Sequence, residues 1–284
     1  HHILKFTEED NFEIFNLLLT YIKTEINSGH FDGCKNLEEI IIPQSVTFIG
    51  PNSFNNCEYL TKVTLPSSIT TISDNAFNKC GRLKEIKIPS SVKVIGNSAF
   101  FECYCLKELI FEAHSSLEKI GDNAFNKTGL KKLNIPSSVK IIGEYAFCNC
   151  GKINEIIFET PSSLEIIDQR AFFGCRSLSI LNIPSSVKSI GKSAFQRCSS
   201  IVECIIPSSI EIICEYTFCQ CYNLSKISIP SSVKSIGDYA FEDCSSLTQI
   251  LIPSSVTSIG NGAFGYCSSL TQILIPSSVT SIES

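Results

Sequence analysis

Leu247-Thr-Gln-Ile-Leu-Ile-Pro-Ser-Ser-Val-Thr-Ser-Ile-Gly-Asn-Gly-Ala-Phe-Gly-Tyr-Cys267 is the stretch whose reading decides the fold. Its opening, L-x-x-I-x-I-P, alternates apolar and polar residues over the length of a short strand. Proline cannot donate to a strand ladder, so Pro253 ends the strand and Ser254 and Ser255 make the turn. V-x-x-I-G then gives a second extended piece with Val256 and Ile259 turned inward, and Gly260 is expected to supply backbone freedom that other residues lack. The closing A-F-x-x-C suits one helical turn, with Ala263, Phe264 and Cys267 facing the core. A unit this small cannot bury its own apolar side, so it must stack on copies of itself.

The copies are present. Ile-Pro or Leu-Pro recurs at Pro43, Pro66, Pro89, Pro136, Pro184, Pro207, Pro230, Pro253 and Pro276, mostly 23 residues apart. Phe111-Glu112 and Phe158-Glu159 stand in the two gaps, each followed by two extra residues. A second marker, F-x-x-C, runs in step at Phe31, Phe54, Phe77, Phe100, Phe125, Phe147, Phe172, Phe195, Phe218, Phe241 and Phe264, with Thr128 replacing one Cys. Two unrelated markers therefore each count eleven repeats over residues 30–284, followed by an incomplete twelfth.

The pattern L-x-x-I-x-I-P-x-x-V-x-x-I-G-x-x-A-F-x-x-C closely resembles the BspA-like leucine-rich repeat over roughly residues 30–282. Departures are local: Asp168 and Cys214 replace the Gly, and Ser53 and Thr217 replace the Ala. The resemblance implies an α/β-type repeat fold: a right-handed leucine-rich-repeat solenoid with a parallel concave sheet, short second strands and short helical turns. It also implies a surface or secreted adhesin or antigen that binds host or cell-surface proteins. The alternative is an intracellular, cytoplasmic scaffold or regulatory subunit.

Stacking turns each repeat position into a row spaced by about 4.8 Å. Ten of the fifteen cysteines form one row: Cys34, Cys57, Cys80, Cys103, Cys150, Cys175, Cys198, Cys221, Cys244 and Cys267. That spacing permits pairwise oxidation, but small apolar thiols suit a tight corner, and reduced, buried packing is the expectation. The off-row cysteines 105, 148, 204, 214 and 219 bring no His with them, so no metal site is expected. Another row reads Lys93, Glu118, Lys140, Glu165, Lys188, Glu211, Lys234, alternating in sign so that stacked neighbours attract, and points to descent from a two-repeat unit.

Residues 1–29 read as an N-terminal cap. Phe12, Phe15, Leu18, Leu19, Ile22 and Ile26 keep helical spacing over 7–27, with Gly29 at the stop. The other end breaks off at Ile282-Glu-Ser without a cap, which suggests a truncated chain or end-to-end self-association through that face. With 43% hydrophobic and 18% charged residues the chain is not disordered, and a net charge of −5 without a basic run excludes binding driven by nucleic-acid phosphates. No apolar run reaches the ~18 residues of a membrane span. The histidines lie at positions 1, 2, 30 and 114, too scattered for a Ser-His-Asp or Cys-His constellation, so neither catalysis nor a cofactor is expected.

Specificity is left to the outward positions of the first strand. There Ile110, Ile157, Ile205, Leu251 and Leu274 are apolar, and Ile180 breaks a row otherwise made mainly of Glu and Lys. Ile157, Ile180 and Ile205 fall in three consecutive repeats flanked by Glu155 and Glu203, an apolar patch with an acidic rim fit for a protein partner. The competing reading is β-branched residues chosen for strand propensity. Two glycosylation triplets, Asn126-Lys-Thr and Asn223-Leu-Ser, are compatible with an exported chain.

Overall fold

Alternating apolar and polar residues do form short strands, and the period of the markers does make them stack. The computed structural model describes residues 24–282 as a single file of coils with one continuous core from Ile26 to Cys267. Every strand pairing is parallel and joins equivalent positions of successive coils, as in Lys132↔Glu155 and Ile156↔Leu133. First strands pair two by two: Glu39–Ile41 with Lys62–Thr64, Glu85–Ile88 with Glu108–Phe111, Lys132–Ile135 with Glu155–Phe158, and Glu203–Ile205 with Lys226–Ser228. The second strands, only two residues each, build the longer sheets: eight strands from Glu25–Ile26 to Ser189–Ile190, and four from Ile212–Ile213 to Ser281–Ile282.

Three expectations change. The expected helix over 7–27 falls outside the described residues up to residue 23, but Glu25–Ile26 is a strand paired with Phe48–Ile49, so stacking already begins there. Among the described residues there is no helix at all, which removes the helical turns and the α/β character of the repeat. In each coil two residues four apart are left-handed, such as Asn75 at φ 54° and Lys79 at φ 59°, and these break any helix. Backbone donors instead alternate in direction. Asn75, Phe77 and Lys79 donate to the next coil (Asn97, Ala99 and Phe101), while Ala76, Asn78 and Cys80 close three-residue turns.

The third change concerns the glycine after the inward Ile. Its φ is ordinary; what it supplies is room. A Cβ on Gly237 would meet the backbone N of Glu215 at 2.7 Å, and one on Gly50 would meet that of Ser28 at 2.7 Å. Coils approach this closely because the glycine N–H donates to the Ile carbonyl one coil back, at 2.7–2.9 Å for Gly50, Gly96, Gly121, Gly143, Gly191, Gly237 and Gly260. Ser73 also stands at this position, and there its hydroxyl takes over, donating to Ile49 O at 2.5 Å. At Cys214 no bond to Ile190 forms, and the second-strand sheet is interrupted between Ile190 and Ile212.

Inside, the rows are regular. The eleven phenyl rings stack face to face with centroids 5.0–5.7 Å apart and planes within 12°. All fifteen cysteines are free thiols. Nine row thiols donate to the Phe carbonyl of the preceding coil at 3.0–3.3 Å, so the row is a set of weak donors as well as a packing corner. Thr128, at the Cys position, keeps a hydrogen bond to Cys150 Sγ at 3.1 Å. On the opposite corner the second Ser of Pro-Ser-Ser donates to the Val or Ile carbonyl one coil back, as Ser91 does to Ile69 O at 2.7 Å.

The alternating charge row pairs directly at Lys140–Glu118, 2.9 Å, and Lys188–Glu165, 3.1 Å. The hydrogen bond from Lys140 holds the Glu118 carboxyl below the usual carboxylate range. Lys140 is correspondingly raised, and it also feels Glu165, so one lysine addresses carboxylates on both neighbouring coils.

Candidate partner-binding face

Strand pleating sends alternate first-strand residues into the core and out to solvent, so each coil offers two outward side chains on this face. In the coil of Glu155–Phe158, Ile156 is buried while Ile157 points out. The bridges Glu155↔Ile180 and Leu181↔Cys204 fix the register of the next two coils. Ile180 therefore lies in one row between Glu155 and Glu203, and Asn182 lies in the other between Ile157 and Ile205. The three isoleucines are thus diagonal neighbours in a zigzag. All are exposed, Ile205 most at 71%.

The first two share a hollow of about 430 Å³ with Thr160, Pro161 and Pro184, walls supplied by the turn after each strand. Ser186 Oγ, from a residue that lines the same hollow, is buried without a hydrogen-bond partner, whereas Ser91, Ser232 and Ser255 at the same position donate to a carbonyl one coil back. The acidic rim is weaker than the sequence implies. Glu155 is ion-paired with Lys132 at 3.3 Å, and Glu203 stands in register with Lys226. Stacking opposite charges along the row neutralises the rim, which leaves the apolar residues as the distinguishing chemistry.

The remaining expected residues are not gathered into that patch. Leu251 and Leu274 are direct partners on successive coils, 77% and 66% exposed, beside a second hollow of about 650 Å³ bordered by Lys226, Thr248 and Gln249. Ile110 sits apart, among Lys107, Glu108, Lys131 and Lys132. Val202, half exposed next to Glu203, extends the central patch and went unread in the sequence because it lies one residue outside the alternating strand pattern.

Other candidate chemistry thins out. Asn126 and Thr128 are buried, with Asn126 Nδ2 bonded to Asn123 Oδ1 at 2.8 Å, so the first glycosylation triplet is inaccessible in the folded chain. Asn223 is exposed. Among the described residues no three His, Cys, Asp or Glu side chains cluster as a metal requires. Burial pushes the Cys148 thiol up to about 11 and the Cys219 thiol up to about 12, which keeps both protonated and unreactive. No helix among the described residues is long and apolar enough to cross a membrane.

The profile of the BspA type leucine rich repeat region (6 copies) matches residues 24–154, 118–221, 140–254 and 192–284. Among solved structures, the chain is similar to a leucine-rich repeat protein from Bacteroides ovatus, with 30% identity over 83% of this chain and 70% of that one and a TM-score of 0.60. A leucine rich cell surface protein from Faecalibacterium prausnitzii shares 28% identity over 87% of this chain and 82% of that one, with a TM-score of 0.51. The pneumococcal vaccine antigen PcpA shares the fold at 23% identity, with a TM-score of 0.66 over 92% of this chain and 70% of that one. No curated protein matches the sequence.

Proposed function

The chain belongs to the BspA-type leucine-rich-repeat family, and from that premise we propose that it is a non-catalytic surface or secreted adhesin that binds a protein partner through its first-strand face. The observation that carries the reading is the exposed zigzag of Ile157, Ile180 and Ile205, the first two beside a hollow, on a regular scaffold. Isolated exposed isoleucines need no explanation, but three in consecutive coils beside a concavity make a surface that loses water readily on contact. Leu251 and Leu274 form a second contact on the same face, and Ile110 lies toward its other end. A cell-surface location is supported by the similar cell surface protein of Faecalibacterium prausnitzii. Fifteen free thiols favour a second reading, an intracellular scaffold that uses the same face.

The test is binding of the fluorescently labelled chain to intact host cells, counted by flow cytometry. Ile180→Asp with Ile205→Asp is expected to reduce binding at least tenfold at an unchanged melting temperature, since both side chains lie outside the core. A folded double variant that binds as well as the parent chain overturns the assignment of this face. Protease shaving of intact producing cells separates the two locations: release of fragments supports the surface reading, and full protection supports the scaffold.

A further inference from the structure

We propose that the turn side of the coils between Arg170 and Tyr222 binds the sulfate groups of a sulfated polysaccharide, on a surface separate from the first-strand face. The chain has four arginines, and three of them, Arg170, Arg176 and Arg197, fall on two consecutive coils. All three lie in or beside the A-F-x-x-C segment, so the turns carry them to one side of the stack. None is paired with a carboxylate among the described residues, where the ion pairs are made by lysines. Unpaired guanidinium groups concentrated in a chain of net charge −5 need a reason.

The local geometry holds the guanidinium groups ready. Arg197 lies over the Phe173 ring at 5.4 Å from its centroid, and its Nε donates to Gln220 Oε1 at 2.8 Å. Those contacts fix the plane and leave its remaining N–H groups unengaged. Arg170 lies over Tyr145 at 5.4 Å and Phe173 at 6.0 Å, donates to the Tyr145 hydroxyl at 2.5 Å, and has a buried Nε without a partner. A hollow of about 460 Å³ is lined by Arg176, Arg197, Ser199, Gln220 and Tyr222. Each of these side chains can donate a hydrogen bond and none is a carboxylate. Ser199 Oγ donates to Arg176 O at 3.3 Å, which ties together the two coils that supply the arginines. Acids on the coils that follow are engaged: Glu215 pairs with Lys192, and Asp243 accepts from Gln220 Nε2 at 3.5 Å.

Planar guanidinium forks match tetrahedral oxyanions, and stacking on rings keeps the fork edge outward. A polymer is favoured over a single phosphate group because Arg170 lies outside the hollow that Arg176 and Arg197 line, so a ligand that meets all three must be extended. Lys127 and Lys192 are neutralised by Glu102 and Glu215, which leaves the arginines as the cations without a carboxylate partner on this side. Arg176 and Arg197 stand on successive coils, which are spaced by the 5.6 Å step from Phe172 to Phe195. Exposed Tyr222 offers an aromatic face to a sugar ring beside them.

The probe is a heparin-derived hexasaccharide titrated calorimetrically into the chain, with its fully desulfated counterpart and a serine-phosphorylated peptide as the other arms. The expected result is binding of the sulfated sugar alone, weakened by salt and reduced at least tenfold in Arg176→Gln with Arg197→Gln. Arg82→Gln, the remaining arginine, which lies over Tyr59 in a distant coil, is expected to bind like the parent chain. The variant with Ile180→Asp and Ile205→Asp is also expected to keep its sugar affinity, which separates this site from the partner face. Failure of the parent chain to bind the sulfated sugar overturns the proposal. So does equal affinity in the double arginine variant, with melting curves showing it folded, or preference for the phosphopeptide.

Discussion

Up to Ile190 the second strands form one eight-stranded sheet, and from Ile212 onward they form another of four. The two blocks are held differently on the outside. The first carries five of the Lys–Glu pairs, including Lys87–Glu112, Lys132–Glu155 and Lys140–Glu118. In the last coils Thr257 and Thr280 stand in the row that earlier alternates Lys and Glu, and their hydroxyls donate to carbonyls one coil back at 3.3 Å. Residues 244–259 and 267–282 are identical over 16 positions. Both outer arrangements stack, so neither is what the stack requires; the phenyl, thiol and serine rows common to both blocks are. The seam between them falls at Cys214, where most coils have a glycine; Asp168 occupies the same position and keeps its backbone bond to Ile142 O at 2.9 Å, so a side chain alone does not break the row. Phe195 and Phe218, astride the seam, are also the least well stacked pair, 5.7 Å apart and 12° from parallel. On the turn side Lys192–Glu215 and the Arg197–Gln220 bond hold the seam closed.

The largest predicted effect removes what the blocks share. Burial pushes the thiols of Cys150 and Cys204 up to about 12, and those of Cys57, Cys103, Cys198 and Cys244 higher still. A thiol raised in the folded state stabilises fully below its unfolded value near 9 and loses that contribution as pH climbs toward the folded value. Each such thiol then costs about 1.4 kcal/mol per pH unit, and several act together. Melting followed by circular dichroism should be flat from pH 7 to 8.5 and fall steeply above pH 9 in both blocks. Equal melting temperatures at pH 8 and pH 10.5 would contradict it.

Next in size is Phe218→Ala. Deleting a buried ring costs about 3–5 kcal/mol, and at the seam the second-strand pairing is missing, which leaves the Leu181–Cys204 bridge and the turn bonds to carry coupling across the cavity. Urea unfolding should split into two transitions, one per block, whereas Phe100→Ala, inside the continuous sheet, should lower the stability of the first block without dividing it. A single transition in both variants would mean that the seam is no weaker than the sheet.

The smallest effect is a gain. Cys214→Gly restores the residue usual at this position and is expected to form the missing bond to Ile190 O, worth about 0.5–1.5 kcal/mol less the backbone entropy that a glycine adds to the unfolded chain. Hydrogen exchange at residue 214 should slow to the level of Gly237. Unchanged exchange would place the cause of the seam elsewhere.

Much of this was legible in the sequence because a period of 23 repeats every buried contact: the Phe row, the Cys row and the Lys/Glu alternation are contacts before any coordinates exist. What stayed hidden depends on geometry between coils. A-F-x-x-C places Ala, Phe and Cys inward in a helix and equally in a chain of tight turns, and only the left-handed residues, such as Lys79 and Glu102, decide between them. A glycine needed for room looks the same in sequence as a glycine needed for an unusual φ. The site is less legible still. Ile157, Ile180 and Ile205 could be found as outward residues, but Lys132 beside Glu155 is a register fact that changes the rim from acidic to paired. The concentration of arginines between 170 and 197 is visible in the sequence, yet their common side, and the lack of carboxylates around them, come from how the turns stack.

The phenyl stack also has a mechanical meaning. Each coil advances the molecule by only 5.0–5.7 Å while storing about 23 residues of chain. Peeled from one end, a coil would release roughly 80 Å of extended polypeptide. A tether built this way yields by unravelling one turn at a time, lengthening more than tenfold locally while the coils beyond keep their outward faces intact. Under tension, the rows that look like internal bookkeeping become a reel, and the seam between Ile190 and Ile212 marks where the reel would first catch or slip.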